Sequence, residues 1–299
     1  MKPTFVHRLF RSYIFNTPIN KGKYRLSDLA LRISPCGAGR LLVETRDGRN
    51  LTINTENASY RFIYFTGQYE QAITEIFSAI VCPEDVCLDI GANIGWYTTV
   101  FQQLVGESGE VHAFEPVPQM FEDLKKNVEM NEPPKNVILN NLALGDVEKE
   151  IEMHIFDGLP DGHASMATFG GRGYVSVPAK MITLNSYLEN NNIDNVRFVK
   201  MDVEGAELMM LKGASRLFEQ EKLPVMEIEM ALATTSGFNY LPNDLIEYIR
   251  GHGSYDFFEI DESRFTLRKI DGFQSDDIGA NVLCLPRDFD SGRLAKWFI

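Results

Sequence analysis

Val86-Cys87-Leu88-Asp89-Ile90-Gly91-Ala92-Asn93-Ile94-Gly95 is a short apolar run that ends in an acid and passes directly into a turn holding two glycines. An apolar run of that length bounded by glycine has the character of a parallel strand buried on both faces. The glycines let the backbone turn tightly and approach a ligand where a Cβ would obstruct it. Residues from Trp96 to about Val105 have helical length and apolar content. The turn is therefore read as a strand-to-helix loop at the carboxyl edge of a sheet, the edge at which open α/β sheets bind their ligands.

A second acid sharpens this reading. Gly109-Glu110-Val111-His112-Ala113-Phe114-Glu115-Pro116 is another short strand, and it stops at Glu115. An acid at the tip of the second strand of such a unit can accept hydrogen bonds from both ribose hydroxyls of a nucleoside. The first loop departs from the dinucleotide fingerprint, with Asn93 in the place of its second glycine and Trp96 in that of its third. Without those glycines a pyrophosphate has no close cradle. The spacing suits a nucleoside lacking a diphosphate, for which S-adenosylmethionine is the natural candidate, with Glu115 on the ribose and Asp89 near the amino group through the loop or water.

The rest of the chain bounds what this site can serve. The 299 residues are enough to bury a sizeable core. Lys and Arg number 29 against 42 acids, a net charge of −13, and no Lys/Arg run exceeds two residues. Binding a polyanion requires a basic groove that releases counterions, so a nucleic-acid partner is not expected. Cys36, Cys82, Cys87 and Cys284 show no Cys-x-x-Cys spacing and read as reduced core residues. No apolar stretch reaches membrane-span length, and no signal-peptide pattern opens the chain, so a cytoplasmic protein without stable membrane insertion is expected.

Along the chain, Phe5, Leu9, Phe10, Tyr13 and Ile14 recur at roughly helical spacing, which predicts a helix that docks on its own domain or on a dimer partner rather than on a membrane surface. Arg40 to Ile53, with the turn Arg46-Asp47-Gly48-Arg49, predicts a small β-hairpin. Residues 1–60 are read as an extension that acts as a lid or in oligomerisation, and 61–299 as the cofactor-binding domain. From Val86 onward, strands ending at Ile90, Glu115 and Asn141 alternate with helices from Trp96 and Pro118, a pattern that demands a parallel sheet with right-handed crossovers. An antiparallel excursion, Ile151 to Phe156 and Tyr174 to Leu184, encloses a Gly-rich segment. The alternation then resumes with a strand to Met201, a helix from Ala206 to Glu219 and a strand from Pro224 to Glu229. Strands near Phe257–Ile260 and Val282–Leu285, around a loop or hairpin at Arg264 to Lys269, complete a seven-stranded, mainly parallel sheet with helices on both faces.

The other dense motif is Lys200-Met201-Asp202-Val203-Glu204-Gly205-Ala206-Glu207. Acids at a helix start are stabilised by the macrodipole and by capping, which accounts for Glu207. Asp202 and Glu204 precede the helix at the carboxyl edge of the sheet, the position of functional groups.

Together, Asp89-Ile90-Gly91-Ala92-Asn93-Ile94-Gly95, Phe114-Glu115-Pro116, Asn141-Leu142-Ala143-Leu144-Gly145-Asp146, the cluster from Lys200 to Glu207, and the later Glu227 resemble the FkbM family of S-adenosylmethionine-dependent methyltransferases. Gly67-Gln68-Tyr69-Glu70 is similar to that family's approach to its first strand, and the resemblance runs from about residue 60 to about 285. It implies a class I methyltransferase, Rossmann-like fold and O-methylation of a hydroxyl, often on a sugar or a natural product. Carried over by position, it implies that Asp89, Gly91, Asn93 and Gly95 wrap the methionine end of the cofactor and that Glu115, with Pro116 behind it, holds the ribose. Asn141, Leu142 and Ala143 would border the adenine, and Lys200, Asp202 and Glu204 would lie between cofactor and acceptor. One departure is Asn185, which stands in Ile182-Thr183-Leu184-Asn185 where the family usually places Asp.

Methyl transfer is an in-line displacement in which the protein aligns an oxygen and removes its proton. Glu204 or Asp202 is the expected base, and His163, in the Gly-rich segment, is the next candidate. Glu227 and Glu229 are two apart on an apolar strand and so share a face. Buried carboxylates there need a donor, a proton or a cation. Because no His or second Asp stands at a ligand spacing and sulfonium chemistry needs none, no metal is expected. An NAD-dependent oxidoreductase is the alternative on the same sheet, opposed by the missing glycines and the absence of a Tyr-x-x-x-Lys pair. A non-catalytic nucleoside-binding protein of the same fold is the third reading.

Overall fold

In the computed structural model, which describes residues 3–17, 22–35, 39–131, 136–156, 164–168, 173–274 and 279–299, the chain opens with helices α1 (Phe5–Asn16) and α2 (Lys23–Ile33). A hairpin of β1 (Arg40–Glu44) and β2 (Asn50–Asn54) and helices α3 (Ala58–Thr66) and α4 (Gln71–Ile80) follow. The alternating part runs β3 (Val86–Ile90), α5 (Trp96–Val105), β4 (Glu110–Phe114), α6 (Pro118–Glu129) and β5 (Val137–Asn140). Next come β6 (Ala143–Leu144), β7 (Lys149–Phe156), β8 (Ala164–Ser165), β9 (Tyr174–Ile182) and α7 (Leu184–Asn190). The chain closes with β10 (Phe198–Met201), α8 (Glu207–Lys212), β11 (Val225–Ala231), α9 (Leu232–Thr235), α10 (Pro242–His252), β12 (Tyr255–Asp261), β13 (Thr266–Ile270) and β14 (Gly279–Pro286).

The main sheet has the order β13-β12-β14-β11-β10-β3-β4-β5. The four pairings from β11 to β5 are parallel, and β14 enters antiparallel between β11 and β12. Strand β3, where the first motif begins, therefore lies deep in the sheet with β10 on one side and β4 on the other. Its near-continuous burial follows, because both faces are covered. On β10 the alternating side chains Phe198 and Val199 enter two different cores. Phe198 meets Phe77 of α4 and Phe101 of α5, with ring centroids 4.7 and 5.4 Å apart, while Val199 packs in the cluster that holds Leu211 of α8 and Leu245 of α10. This is the α/β architecture expected, with helices on both faces.

Three details differ from the sequence reading. Among the described residues the sheet has eight strands rather than seven, since Thr266–Ile270 pairs antiparallel with β12 and extends the edge. The helix expected from Ala206 to Glu219 ends at Lys212, and Ser215–Phe218 forms a separate 3₁₀ turn. Asn185 sets that break: its side-chain oxygen accepts the N–H of Arg216 at 3.0 Å, and its amide donates to Ser215 at 3.1 Å. Asn185 thus joins α7 to the turn after α8, work that needs an amide's donor as well as its acceptor. Finally, the antiparallel excursion forms a sheet of its own, β6-β9-β7-β8, and β9 stops at Ile182 because Thr183 caps α7.

The hairpin is built as expected, β1 pairing with β2 from Arg40↔Asn54 to Glu44↔Asn50. Ile14, Ala30, Val43, Leu51 and Ile53 share a core cluster with residues of the main sheet. Asn127 and Asn131 of the α6 region tie down β2 by accepting the N–H groups of Thr52 and Asn50 at 2.7 and 2.9 Å. Among the described residues, no helix is long and apolar enough to cross a membrane.

Candidate active site

Three strand ends converge where β3, β4 and β10 stop. After Ile90 the backbone turns through Gly91 at φ +82°, and a Cβ on Gly91 would lie 1.8 Å from the carbonyl oxygen of Asp202. Only glycine permits that contact, which brings the β3 loop and the β10 loop side by side. Gly91 and Ala92 donate their N–H groups to the Phe114 carbonyl at 3.0 and 2.9 Å, while Asp202 donates to Ile90 at 3.0 Å. Gly95, at φ +87°, precedes the first turn of α5, where a Cβ would meet Leu124 at 2.7 Å.

Above these ends lies a cleft that opens to solvent. Gly91, Asn93, Glu115 and Pro116 form one part of its wall, Leu142 and Ala143 another, and Asp202, Val203 and Glu204 a third. Val117, Met120, Met153 and Met166 add apolar surface. Glu115 is held rigidly: one carboxylate oxygen accepts the N–H of Asn93 at 2.8 Å and the other that of Val117 at 2.8 Å. Burial pushes its pKa up to about 7 against those two donors, and Asp89 and Asp202 add to the rise.

Three residues expected at the cofactor are not among those that line the cleft. Asp89 is buried and accepts the Thr98 hydroxyl, so it pins α5 to β3 from below the cleft. Asn141 donates to the carbonyls of Glu115 and Pro116 at 2.8 and 3.2 Å and shapes the end of β4. Gly95 acts through the backbone alone. His163 lies outside the described residues.

The acid cluster is closely packed. Lys200 is buried and donates to Asp202 at 2.9 Å, with its ammonium 5.1 Å from the Tyr97 ring centroid. Burial alone would lower the Lys200 pKa, but Asp202, Glu227 and Asp89 outweigh it and hold the lysine charged. Asp202, Glu204 and Glu229 bring carboxylate oxygens within 4.8 Å of one another. Glu229 is pushed up to about 10, first by Asp202 and then by burial, Glu204 and Glu207. Glu227, one pleat away on the same face, is raised to about 8 by burial, with Lys200 opposing and Glu70 and Asp202 adding. Glu204 itself sits at φ +52°, an uncommon backbone state for a residue with a Cβ. Glu207 accepts the N–H groups of Val203 and Gly205 at 3.2 and 3.1 Å and the Tyr240 hydroxyl at 2.8 Å, so it organises the turn that presents Glu204.

The sequence reading missed Tyr60 and Tyr97 and gave Glu70 no role. The Tyr60 hydroxyl donates to the Asn93 side chain at 2.6 Å, which brings α3 to the first loop. Tyr97 donates to Glu70, whose φ of +41° makes it, with Asn93 and Glu204, the third strained non-glycine residue in this region. Their sequence signal was faint, since nothing local joins residues 60 and 70 to the loop at 93.

A family model, the methyltransferase FkbM domain, matches residues 89–255, which is more than half of the chain. The chain belongs to the FkbM methyltransferase family. S-adenosylmethionine is its cofactor, and the dehydrogenase alternative loses its basis. A hexuronic acid methyltransferase of Haloferax volcanii is 27% identical over 159 residues, covering 53% of this chain and 62% of the relative. Methyltransferase sdnD of Sordaria araneosa is 25% identical over 154 residues, 42% of this chain and 59% of that protein. The chain thus spans about three fifths of the length of these relatives. A crystal structure of a methyltransferase FkbM from Methylobacillus flagellatus aligns with TM-score 0.43 at 16% identity, covering 76% of this chain and 52% of the other.

The FkbM cleft fits that cofactor on its own chemistry. Glu115, with both oxygens fixed by backbone donors, keeps further lone pairs for ribose hydroxyls. The slot beside it, between Leu142, Val117 and Met120, is apolar and suits a purine face. Elsewhere in the lining, Asp202 and Glu204 offer negative charge to a cationic methionine end.

Proposed function

We propose that this chain methylates a hydroxyl of a sugar or of a glycosylated or natural-product metabolite, as an O-methyltransferase. The observation that carries the reading is that Glu115 and the pair Asp202 and Glu204 line one cleft. In this reading Glu115 takes the nucleoside and the two acids take the reacting end. When bound, S-adenosylmethionine supplies an electrophilic methyl on a positively charged sulfur.

The chain's residues do the rest. Glu115 and the apolar slot fix the nucleoside. Glu204 takes the proton from the acceptor hydroxyl as the new bond forms, the work of a general base. Asp202, paired with Lys200, positions the acceptor. The acidic net charge supports a small-molecule or glycan acceptor over a nucleic acid, and the hexuronic acid named for the Haloferax relative supports a sugar.

The test is transfer from methyl-labelled S-adenosylmethionine to a panel of uronic acids, neutral sugars and glycosylated metabolites, with the product sites located by mass spectrometry. A methyl ether on a sugar hydroxyl is expected. Methylation only at nitrogen or carboxyl groups would contradict the reading, and binding of the cofactor without transfer to any of them would favour a non-catalytic nucleoside-binding protein.

A further inference from the structure

The amino-terminal helix pair carries a surface that the methyl-transfer site does not use. Helix α1 docks on its own chain with one face: Ile14 is buried, His7 donates through Nε2 to the Ser34 carbonyl, and Arg11 donates to the Tyr64 carbonyl of α3. The opposite face is apolar and open. Phe5, Leu9 and Tyr13, spaced by four residues, are 78, 58 and 63% exposed, and on neighbouring α2 Leu29 and Ile33, again four apart, are 44 and 58% exposed. The Thr4 and Ser34 hydroxyls lie 3.0 Å apart, so the start of α1 meets the end of α2, and the two helices that carry the apolar rows pack side by side. Five of the thirteen large apolar side chains exposed among the described residues are gathered here. Single exposed apolar residues are ordinary, whereas a contiguous group marks an interaction surface.

Charge selects the occupant. Residues 1–35 contain seven Lys or Arg and one acid, a net +6, in a chain whose total is −13, so the remaining residues carry −19. Arg8, Arg25 and Arg32 are exposed on the two helices that carry the apolar rows, Arg32 in an exposed pair with Asp28 at 2.8 Å. An apolar row flanked by arginines on a short helix pair is the pattern of a segment lying in the plane of a membrane interface, where apolar side chains enter the acyl boundary and cations meet anionic headgroups. A two-fold contact with a second copy would instead press one positive surface against another. The strongly negative remainder is repelled by an anionic bilayer, so only this end can approach it.

We infer that the surface formed by Phe5, Leu9, Tyr13, Leu29 and Ile33 docks the protein reversibly on an anionic lipid membrane, with Arg8, Arg25 and Arg32 at the headgroups. Because α1 and α2 pack on α3, and Tyr60 of α3 bonds to Asn93 in the cofactor loop, this docking surface and the cleft are joined by one helix. The inference does not depend on the acceptor.

The experiment is flotation of the full chain with vesicles of phosphatidylcholine alone and of phosphatidylcholine with phosphatidylglycerol, at low salt and at high salt. Binding to the anionic vesicles is expected to be at least about tenfold stronger than to the neutral ones, to weaken in high salt, and to fall about tenfold in a Leu9→Glu/Ile33→Glu variant. Both positions are exposed, and an unchanged melting temperature confirms that the variant is folded. A separate Arg8→Glu/Arg25→Glu variant is expected to lose the preference for anionic vesicles. No vesicle binding, or equal binding to both compositions, overturns the inference. So does a dimer, seen by light scattering, that Leu9→Glu/Ile33→Glu dissociates while vesicle binding is absent.

Discussion

The ammonium of Lys200 lies 2.9 Å from a carboxylate oxygen of Asp202, two residues further along the chain. The pairing divides the labour between the two acids of the cleft, because the ammonium engages an oxygen of Asp202 and Glu204 is the acid assigned to the acceptor proton. Glu204→Gln is therefore expected to bind S-adenosylmethionine about as well as the unaltered protein and to turn over roughly 10² to 10⁴ times more slowly. Asp202→Asn is expected to affect KM for the acceptor more than kcat. Single-turnover rates with the acceptor found in the labelling screen make the comparison, and near-normal kcat in Glu204→Gln would move the base elsewhere, with His163 next to be examined.

Crowded carboxylates set the pH response of the fold. Glu229 is raised to about 10, Glu227 to about 8, and Glu115 and Glu207 to about 7. Unfolded glutamates titrate near 4.3, so between these values the folded state holds more protons than the unfolded state. Stability then falls as pH rises, and this contribution is fully present only below about pH 4. The melting temperature of the ligand-free protein is expected to decline from about pH 5 to about pH 9, and Glu229→Gln is expected to flatten that decline. A melting temperature that rises across the window would contradict the account.

The same crowding bears on metals. A proton on Glu229 relieves the repulsion among Asp202, Glu204 and Glu229, so turnover is expected to survive treatment with a chelator. Activity lost in chelator and restored by magnesium or manganese would instead make these three acids ligands.

Arg49 joins the amino-terminal hairpin to the helix behind the cofactor loop. Its buried guanidinium donates to the Trp96 carbonyl and the Thr99 hydroxyl, both at 2.7 Å, and to Asp47 at 2.8 and 3.0 Å. Arg49→Met removes these four hydrogen bonds from a buried position and is expected to cost about 3 kcal/mol of stability. Arg32→Met removes an exposed pair with Asp28 and should cost no more than about 0.5 kcal/mol. Urea unfolding midpoints give both values, and equal effects would show that Arg49 does not bind the two parts together.

What the sequence made legible was local. Asp89, Gly91, Glu115 and Asp202 each end a strand, and strand ends of one parallel sheet lie along one edge whatever the helices do, so their neighbourhood could be read from pattern alone. Asp89 shows the limit of that reading: its place at a strand end was correct, yet the side chain points into the interior and bonds to Thr98. Tyr60, Tyr97 and Glu70 were beyond the pattern because their contacts depend on how α3 and α4 pack. The break in the helix after Lys212 was equally hidden, since Asn185, more than twenty residues away, supplies the bonds that hold it.

The central claim is that the cleft beside Glu115 holds the nucleoside of S-adenosylmethionine, and calorimetric titration of the cofactor into the unaltered protein and Glu115→Ala tests it most directly. Loss of a charged acceptor for two ribose hydroxyls is expected to weaken binding by about 2 kcal/mol or more, roughly thirtyfold, with the fold intact by circular dichroism. Equal affinity in a folded Glu115→Ala variant would remove Glu115 from the site and contradict the account.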